Sequence, residues 1–212
     1  MQEKISHSLK LIADAVERYG DKVGVACSFG KDSIVLVSLC QRVNPNIKVF
    51  SIMTPYKFQA TRQYKDYMSQ NMRMNLTTLE AQNINAPLPS NPEACCDYFK
   101  VSQSKQALKD LKLTAWIAGL RNTEGHTREF IDEIEERDGI TKINPILSWT
   151  EAEIWLYHAT YQLPPHPLYL QGYRSLGCEP CSKPYTDTER GGRWEGTDKC
   201  GGECGIHSKS LA

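Results

Sequence analysis

The 212-residue chain is long enough to bury one substantial core, and nothing in its composition divides it into independent domains. Its 25 basic residues balance 25 acidic ones, which excludes a global field that would gather a nucleic-acid backbone or an anionic membrane surface; an anionic ligand has to be held locally. No apolar run approaches the roughly 20 residues of a bilayer-spanning helix, and the polar start Met1-Gln2-Glu3-Lys4-Ile5-Ser6 lacks a signal peptide's apolar stretch, so a cytoplasmic protein is expected.

Residues 6–19 carry Leu9, Ile12, Ala13 and Val16 at helical spacing. Val23-Gly24-Val25-Ala26-Cys27 reads as a short buried strand that runs through Ser28-Phe29-Gly30-Lys31-Asp32-Ser33 into a helix at 34–39. A second strand follows at 47–53, a helix over 61–72, and a third strand around 76–79. The Asn- and Pro-rich stretch 82–93 is expected to be a loop delivering a cysteine pair. Residues 101–111 look helical, 114–120 look like a buried strand, and 121–128 would leave that strand's carboxyl end. Thr150 followed by Glu153 predicts a capped helix over 149–157. The alternation implies an α/β fold, an open, mostly parallel sheet with helices on both faces. Residues 1–163 would form its core, with the Ser28–Ser33 anion site, and 164–212, rich in Pro, Gly and Cys, a cofactor-organised tail of the same domain.

Eight cysteines point to metal ligation or redox chemistry in a reducing compartment. Cys27 and Cys40 sit in apolar surroundings and read as core residues. Cys95-Cys96 and Cys178-Glu179-Pro180-Cys181 supply thiolates in two tight groups, suited to tetrahedral zinc or to an iron–sulfur cube. Adjacent side chains diverge, which favours the larger cluster, although spacing alone leaves zinc nearly level with it. Cys204, in Glu203-Cys204-Gly205-Ile206-His207, lies on a glycine-flanked tail with Lys199 and His207 nearby, as a mobile nucleophile would; a second metal pair with Cys200, or an incidental thiol pair, is the alternative. The Ser28–Ser33 loop suits oxyanion binding at a helix N-terminus, against an ordinary capped turn, and lacks Walker A spacing. Lys100, Arg121, Arg128 and Arg193 could hold phosphate and sulfate; taken singly each reads as a solvated cation.

Together these residues resemble the sulfonucleotide reductases, the adenylylsulfate and phosphoadenylylsulfate reductase family, from about Val23 to His207. The matching segments include Cys95-Cys96 with Lys100-Val101, Ala115-Trp116-Ile117-Ala118-Gly119-Leu120-Arg121 with Arg128, and Asn144-Pro145-Ile146 leading to Trp149-Thr150-Glu151. They continue through Ser175-Leu176-Gly177-Cys178, Cys181, Gly192-Arg193-Trp194 and Glu203–His207. The resemblance implies an adenine nucleotide alpha hydrolase-like fold and reductive cleavage of a sulfonucleotide, freeing sulfite. Cys204 would attack the sulfonate sulfur, and thioredoxin or a glutaredoxin-like carrier would release sulfite from the S-sulfocysteine. Cys95, Cys96, Cys178 and Cys181 would bind a [4Fe–4S] cluster, with Lys100 between cluster and sulfate. Ser28, Phe29, Gly30, Lys31, Asp32 and Ser33 would cradle the phosphosulfate, and Arg121, Arg128 and Arg193 would neutralise it. The cysteine set inclines the substrate toward adenylylsulfate over its 3′-phosphorylated form, and relatives commonly form homodimers or homotetramers. The family's Asp-Thr-Gly turn is replaced here by Met53-Thr54-Pro55, followed by Tyr56-Lys57-Phe58, and Cys200 has no assigned role. Because Lys31-Asp32-Ser33 resembles a pyrophosphate loop, one alternative is an ATP-dependent sulfur transferase, for example one thiolating tRNA; a separate one is a metal-stabilised sulfonucleotide sensor, which would have no use for the Cys204 nucleophile.

Overall fold

The computed structural model describes residues 1–80, 92–125, 128–185, 187–197, 199 and 202–208. Its helices and strands follow the order α1 (Gln2–Tyr19), β1 (Val23–Ala26), α2 (Lys31–Val43), β2 (Lys48–Met53), α3 (Gln59–Asn71) and β3 (Asn75–Glu80). Beyond these come α4 (Pro92–Cys96), a π-helical turn (Asp97–Val101), α5 (Ser102–Asp110), β4 (Ala115–Ile117), β5 (Ile134–Arg137), β6 (Ile140–Ile143), α6 (Glu151–Thr160) and α7 (Gly205–Ser208). The strands form one sheet in the order β3-β2-β1-β4-β6-β5, parallel throughout except for β5, which pairs antiparallel with β6.

Strand residues alternate between two apolar layers, as a pleated strand buried on both faces requires. Val25, Val49, Ala115 and Ile117 pack with Ile5 and Ile12 of α1, Ile34 to Leu39 of α2, Tyr64 and Met68 of α3, and Ile154 of α6. Phe50 and Trp116 face the other way, toward Val101, Ala107 and Leu108. Helices thus cover both faces, as the sequence pattern predicts. The capping box is present: Glu153 N–H donates to Thr150 Oγ1 at 3.3 Å, and Thr150 N–H donates to Glu153 Oε2 at 2.8 Å. No described helix is long and apolar enough to cross a membrane.

The structure differs from the sequence reading in two places. The β5–β6 hairpin is an addition, turning through Asp138 and Gly139, both in the left-handed region. The cysteine-bearing segment is helical from Pro92, so the expected loop does not extend to Glu93; its residues 82–91 lie outside those described, as does Cys200. Beyond Leu163 the chain is mostly irregular, with 3₁₀ turns at Pro167–Gln171 and Glu179–Cys181. The strand order reverses between β1 and β4, and the crevice at their carboxyl ends is where open α/β sheets bind ligands.

Candidate functional site

That crevice holds a cavity of about 170 Å³. Ala26 to Ser28 and Ala118 to Leu120 form its sheet side, Gly30 to Ser33 the start of α2, and Arg193, Trp194, Cys204 and His207 its tail side. The Ser28–Ser33 loop is built for close approach to an anion, since Ser33 Oγ donates back to Gly30 O at 3.0 Å and Ser28, Gly30, Lys31, Asp32 and Ser33 line the cavity. Phe29 contributes only backbone: its φ is 62°, and its ring is buried in the apolar core. The Lys31 N–H, at the α2 N-terminus, donates to the Tyr169 hydroxyl at 2.8 Å.

The cations around the cavity fall into two groups. Those of the first already have carboxylates. Lys31 Nζ lies 2.6 Å from Glu189 and 3.2 Å from Asp32. Arg121, fully buried, donates to Asp32 at 2.5 Å and pairs with Glu189. Arg128 pairs with Glu124 and donates to both carboxylate oxygens of Glu203. Arg190 bonds Glu124 at 3.2 Å and Glu203 at 3.5 Å, and donates to Gly202 O at 2.8 Å. Burial opposes charge throughout this network, yet the pairing prevails: Lys31, Arg121 and Arg128 are held more firmly protonated than usual, Glu124 is held well below the carboxylate range by Arg128 and Arg190, and Glu203 titrates at about 2. Carboxylate oxygens of Asp32, Glu124 and Glu189 lie within 4.8 Å of one another, and side-chain cations answer all three.

In the second group, Lys57, Lys100 and Arg193, the side chains have no carboxylate within salt-bridge distance among the described residues, and all three line the cavity. The Arg193 guanidinium lies over the Trp194 ring at 4.2 Å, donating to Cys181 O at 3.1 Å and Leu176 O at 3.2 Å. The guanidinium packs directly on Gly177, where a Cβ would fall 2.3 Å from an Arg193 nitrogen and push the side chain aside. Burial pushes the Lys57 ammonium down to about 8, against the pull of Cys178, with Lys100 and Arg193 lowering it further. Lys100 is raised despite burial because Cys178, Cys204 and Cys96 surround it.

The cysteines are gathered at the same end. Cys95 and Cys96 stand at the end of α4, directly before the π turn that carries Lys100. Cys178 and Cys181 flank a 3₁₀ turn, and the Cys178 sulfur lies 3.1 Å from Thr54 Oγ1. Cys95 interacts electrostatically with Cys178, Cys181 and Cys204, so both pairs and the tail cysteine share one neighbourhood. The Cys96 thiol hydrogen-bonds Cys204, which holds the Cys204 thiol well below its ordinary value; burial opposes this and Lys100 reinforces it. Cys204 is 8% exposed and packs with Cys96, Trp194 and Cys181. The buried Trp194 Nε1–H has no acceptor among the described residues. Two thiol pairs beside unquenched cations and a vacant indole donor fit an anionic, sulfur-rich group.

The structure therefore brings Cys95, Cys96, Cys178, Cys181, Lys100, Arg193 and Cys204 together, and places Lys31, Arg121 and Arg128 in the paired network. The sequence reading missed Glu189 and Arg190, whose partners are distant in sequence, Glu124, whose only local signal was its i,i+4 spacing to Arg128, and Lys57, whose signal was the departure from the family turn.

The chain matches the family described as "phosphoadenosine phosphosulfate reductase domain" over residues 22–184. It is 35% identical to the adenosine 5′-phosphosulfate reductase of Lysinibacillus sphaericus, over 98% of this chain and 93% of that protein. It is 34% identical to the phosphoadenosine 5′-phosphosulfate reductase of Gloeobacter violaceus, over 93% and 87%. Among solved structures it superposes on the phosphoadenylyl-sulfate reductase of Candida auris with a TM-score of 0.72 at 20% identity, covering 84% of this chain and 96% of that one. It also superposes on Candida glabrata FMN adenylyltransferase with a TM-score of 0.69 at 17% identity, covering 86% and 65%, so the same architecture serves other adenine-nucleotide chemistry. With matching sequence along nearly its whole length and a fold to go with it, the chain belongs to the phosphoadenosine phosphosulfate reductase family.

Proposed function

We propose that the chain cleaves adenylylsulfate reductively to sulfite and AMP, with Cys204 as nucleophile. The observation that carries this reading is the placement of the Cys204 thiol in a crevice lined also by Lys57, Lys100 and Arg193, none of which has a carboxylate within salt-bridge distance among the described residues. The Cys204 sulfur attacks the sulfonate sulfur, the S–O bond to the phosphate breaks, and AMP departs with the bonding pair on its phosphate oxygen. The cations lower the barrier by neutralising the approaching anions. A thiolate of a dithiol carrier of the thioredoxin or glutaredoxin type then attacks Cys204 of the S-sulfocysteine. Sulfite leaves, and the carrier's second thiol resolves the mixed disulfide.

Cys95, Cys96, Cys178 and Cys181 would hold a [4Fe–4S] cluster, which when bound supplies a polarisable, thiolate-ligated charge beside the sulfonate end. Residues 1–163 serve as the nucleotide-binding core and 164–212 as the cluster-binding and catalytic segment. Ser28, Gly30, Asp32 and Ser33, with the backbone of Phe29, would cradle the phosphosulfate; Lys31, Arg121 and Arg128 would serve it from within the ion-pair network. That engagement of Lys31, with the Tyr169 hydroxyl at the α2 N-terminus, counts against the pyrophosphate-loop alternative.

The test is sulfite release by anaerobically purified protein supplied with adenylylsulfate or its 3′-phosphorylated form, thioredoxin and reductant, alongside iron and acid-labile sulfide analysis. Adenylylsulfate is expected to be the better substrate, with about four irons per chain. Cys204→Ser should abolish sulfite release while still binding nucleotide. Sulfite production surviving that substitution would remove Cys204 from the mechanism.

A further inference from the structure

The turn between β2 and α3 departs from the family pattern, so the resemblance assigns its residues nothing. In the structure it is docked onto the cysteine loop. Lys57 forms an antiparallel bridge with Cys178, and Glu179 N–H donates to Tyr56 O at 2.8 Å. The flanking rings are anchored away from the cavity: Tyr56 packs edge-on against Phe99 at 5.3 Å, and Phe58 against Tyr173 at 5.4 Å. Between these anchors Lys57 is 9% exposed and lines the cavity together with Lys100, Arg193 and Cys204. The groups that weigh most on its charge are the sulfurs of Cys178 and Cys204 and the cations Lys100 and Arg193, with Cys27 and His166 also near, and no described carboxylate lies within salt-bridge distance of it. A buried ammonium crowded by two like charges is costly unless an anion joins it. Cations elsewhere in the crevice, Lys31, Arg121, Arg128 and Arg190, have protein carboxylates; Lys57 instead lines the cavity that also holds the Cys204 nucleophile.

We propose that Lys57 is a substrate-binding residue that grips the terminal sulfonate of the nucleotide beside Lys100 and Arg193. This rests on the reductase reading above and adds a contact specific to this chain's turn sequence. Lys57 touches the part of the substrate that adenylylsulfate has and AMP lacks, so its contribution separates the two ligands.

The experiment compares equilibrium binding of adenylylsulfate and AMP to anaerobically purified wild type, Lys57→Met and Lys57→Arg at matched iron content. The apolar isostere avoids leaving a polar group buried, and arginine restores the charge. Lys57→Met should weaken adenylylsulfate about ten- to a hundredfold, the usual worth of one charge-assisted hydrogen bond. AMP should stay within about twofold, and Lys57→Arg should recover part of the loss. An unchanged ratio of the two affinities in Lys57→Met overturns the proposal, whether both ligands bind as before or both weaken together, because the lysine then serves only Cys178 or the fold. Wild-type protein that binds adenylylsulfate no better than AMP and releases no sulfite would instead defeat the reductase reading itself.

Discussion

Glu203 precedes the nucleophile and carries more of the tail's attachment than any neighbour in sequence. Its carboxylate accepts from Arg128 through both oxygens, lies 3.5 Å from Arg190, and accepts the Cys204 N–H at 2.8 Å. Removing one partner of a buried ion pair leaves the others uncompensated, at a cost of about 3–5 kcal/mol. Glu203→Gln should therefore loosen the segment bearing Cys204, lowering kcat at least tenfold and speeding tryptic cleavage in the tail, with nucleotide affinity much less affected. Single-turnover sulfite release together with limited proteolysis would check this; a variant with wild-type kcat would show that the arm is positioned otherwise. None of these partners was legible in the sequence. Lys31 meets Glu189 across 158 residues and Arg128 meets Glu203 across 75, and no local spacing encodes such pairs. The cysteines were legible because their chemistry restricts them to few roles in a reducing compartment. Lys57 was visible only as a departure from a pattern.

Most helices and strands with a buried face were located, because burial on one side imposes a period on the sequence, although α1 and α2 extend beyond the 6–19 and 34–39 read for them. Strand β5 escaped because Ile134-Glu135-Glu136-Arg137 is mostly exposed and offers little apolar alternation, and β6 escaped because its buried residues include Thr141 and Lys142 and form no apolar run. The Asp138-Gly139 pair was the hairpin's available signal, since two successive left-handed residues suit a tight turn between antiparallel strands. Its polar character suits an edge strand, which resists pairing with another chain when charged. Helix α6 gives the cleanest local test. Thr150→Ala removes one half of the capping box and should cost about 1 kcal/mol, lowering Tm by about 2–4 °C in a chain of this size. Calorimetry would check it, and sulfite release at 25 °C should be unchanged, because the cap lies outside the cavity lining.

Across the whole molecule, acid acts first through buried histidines. His166 accepts the Leu168 N–H on Nδ1 at 3.2 Å and lies 3.0 Å from Thr61 Oγ1, and burial, with Lys57 assisting, pushes it down to about 4. His207, stacked on Trp116 with ring centroids 5.9 Å apart, is pushed down to about 3 by burial. The unfolded chain takes up these protons near pH 6.5 and the folded chain resists them, so stability is complete above that pH and falls as pH drops toward 4. The His166 share is up to about 3 kcal/mol. Urea midpoints at pH 7 and pH 5 should differ for wild type and differ less for His166→Gln; equal slopes would exclude His166 as a source. A further loss below about 4.5 should follow, because the unfolded chain protonates Glu203 there while the folded chain, where Arg128 holds the carboxylate down to about 2, resists.

The π turn between α4 and α5 sets the phase between two distant parts of the chain. Ser102 N–H reaches back to Asp97 O, five residues away, so the helix holds one residue more than regular winding would accommodate. Deleting a residue between Cys96 and Lys100 would relax the turn into ordinary helix, while rotating Cys95 and Cys96 by about 100° about the axis and drawing them about 1.5 Å along it. The helix would be better wound, and its thiols would turn away from the neighbourhood that Cys95 shares with Cys178 and Cys181. A surplus residue in the backbone is thus what aligns a cysteine pair from the middle of the chain with one near its end.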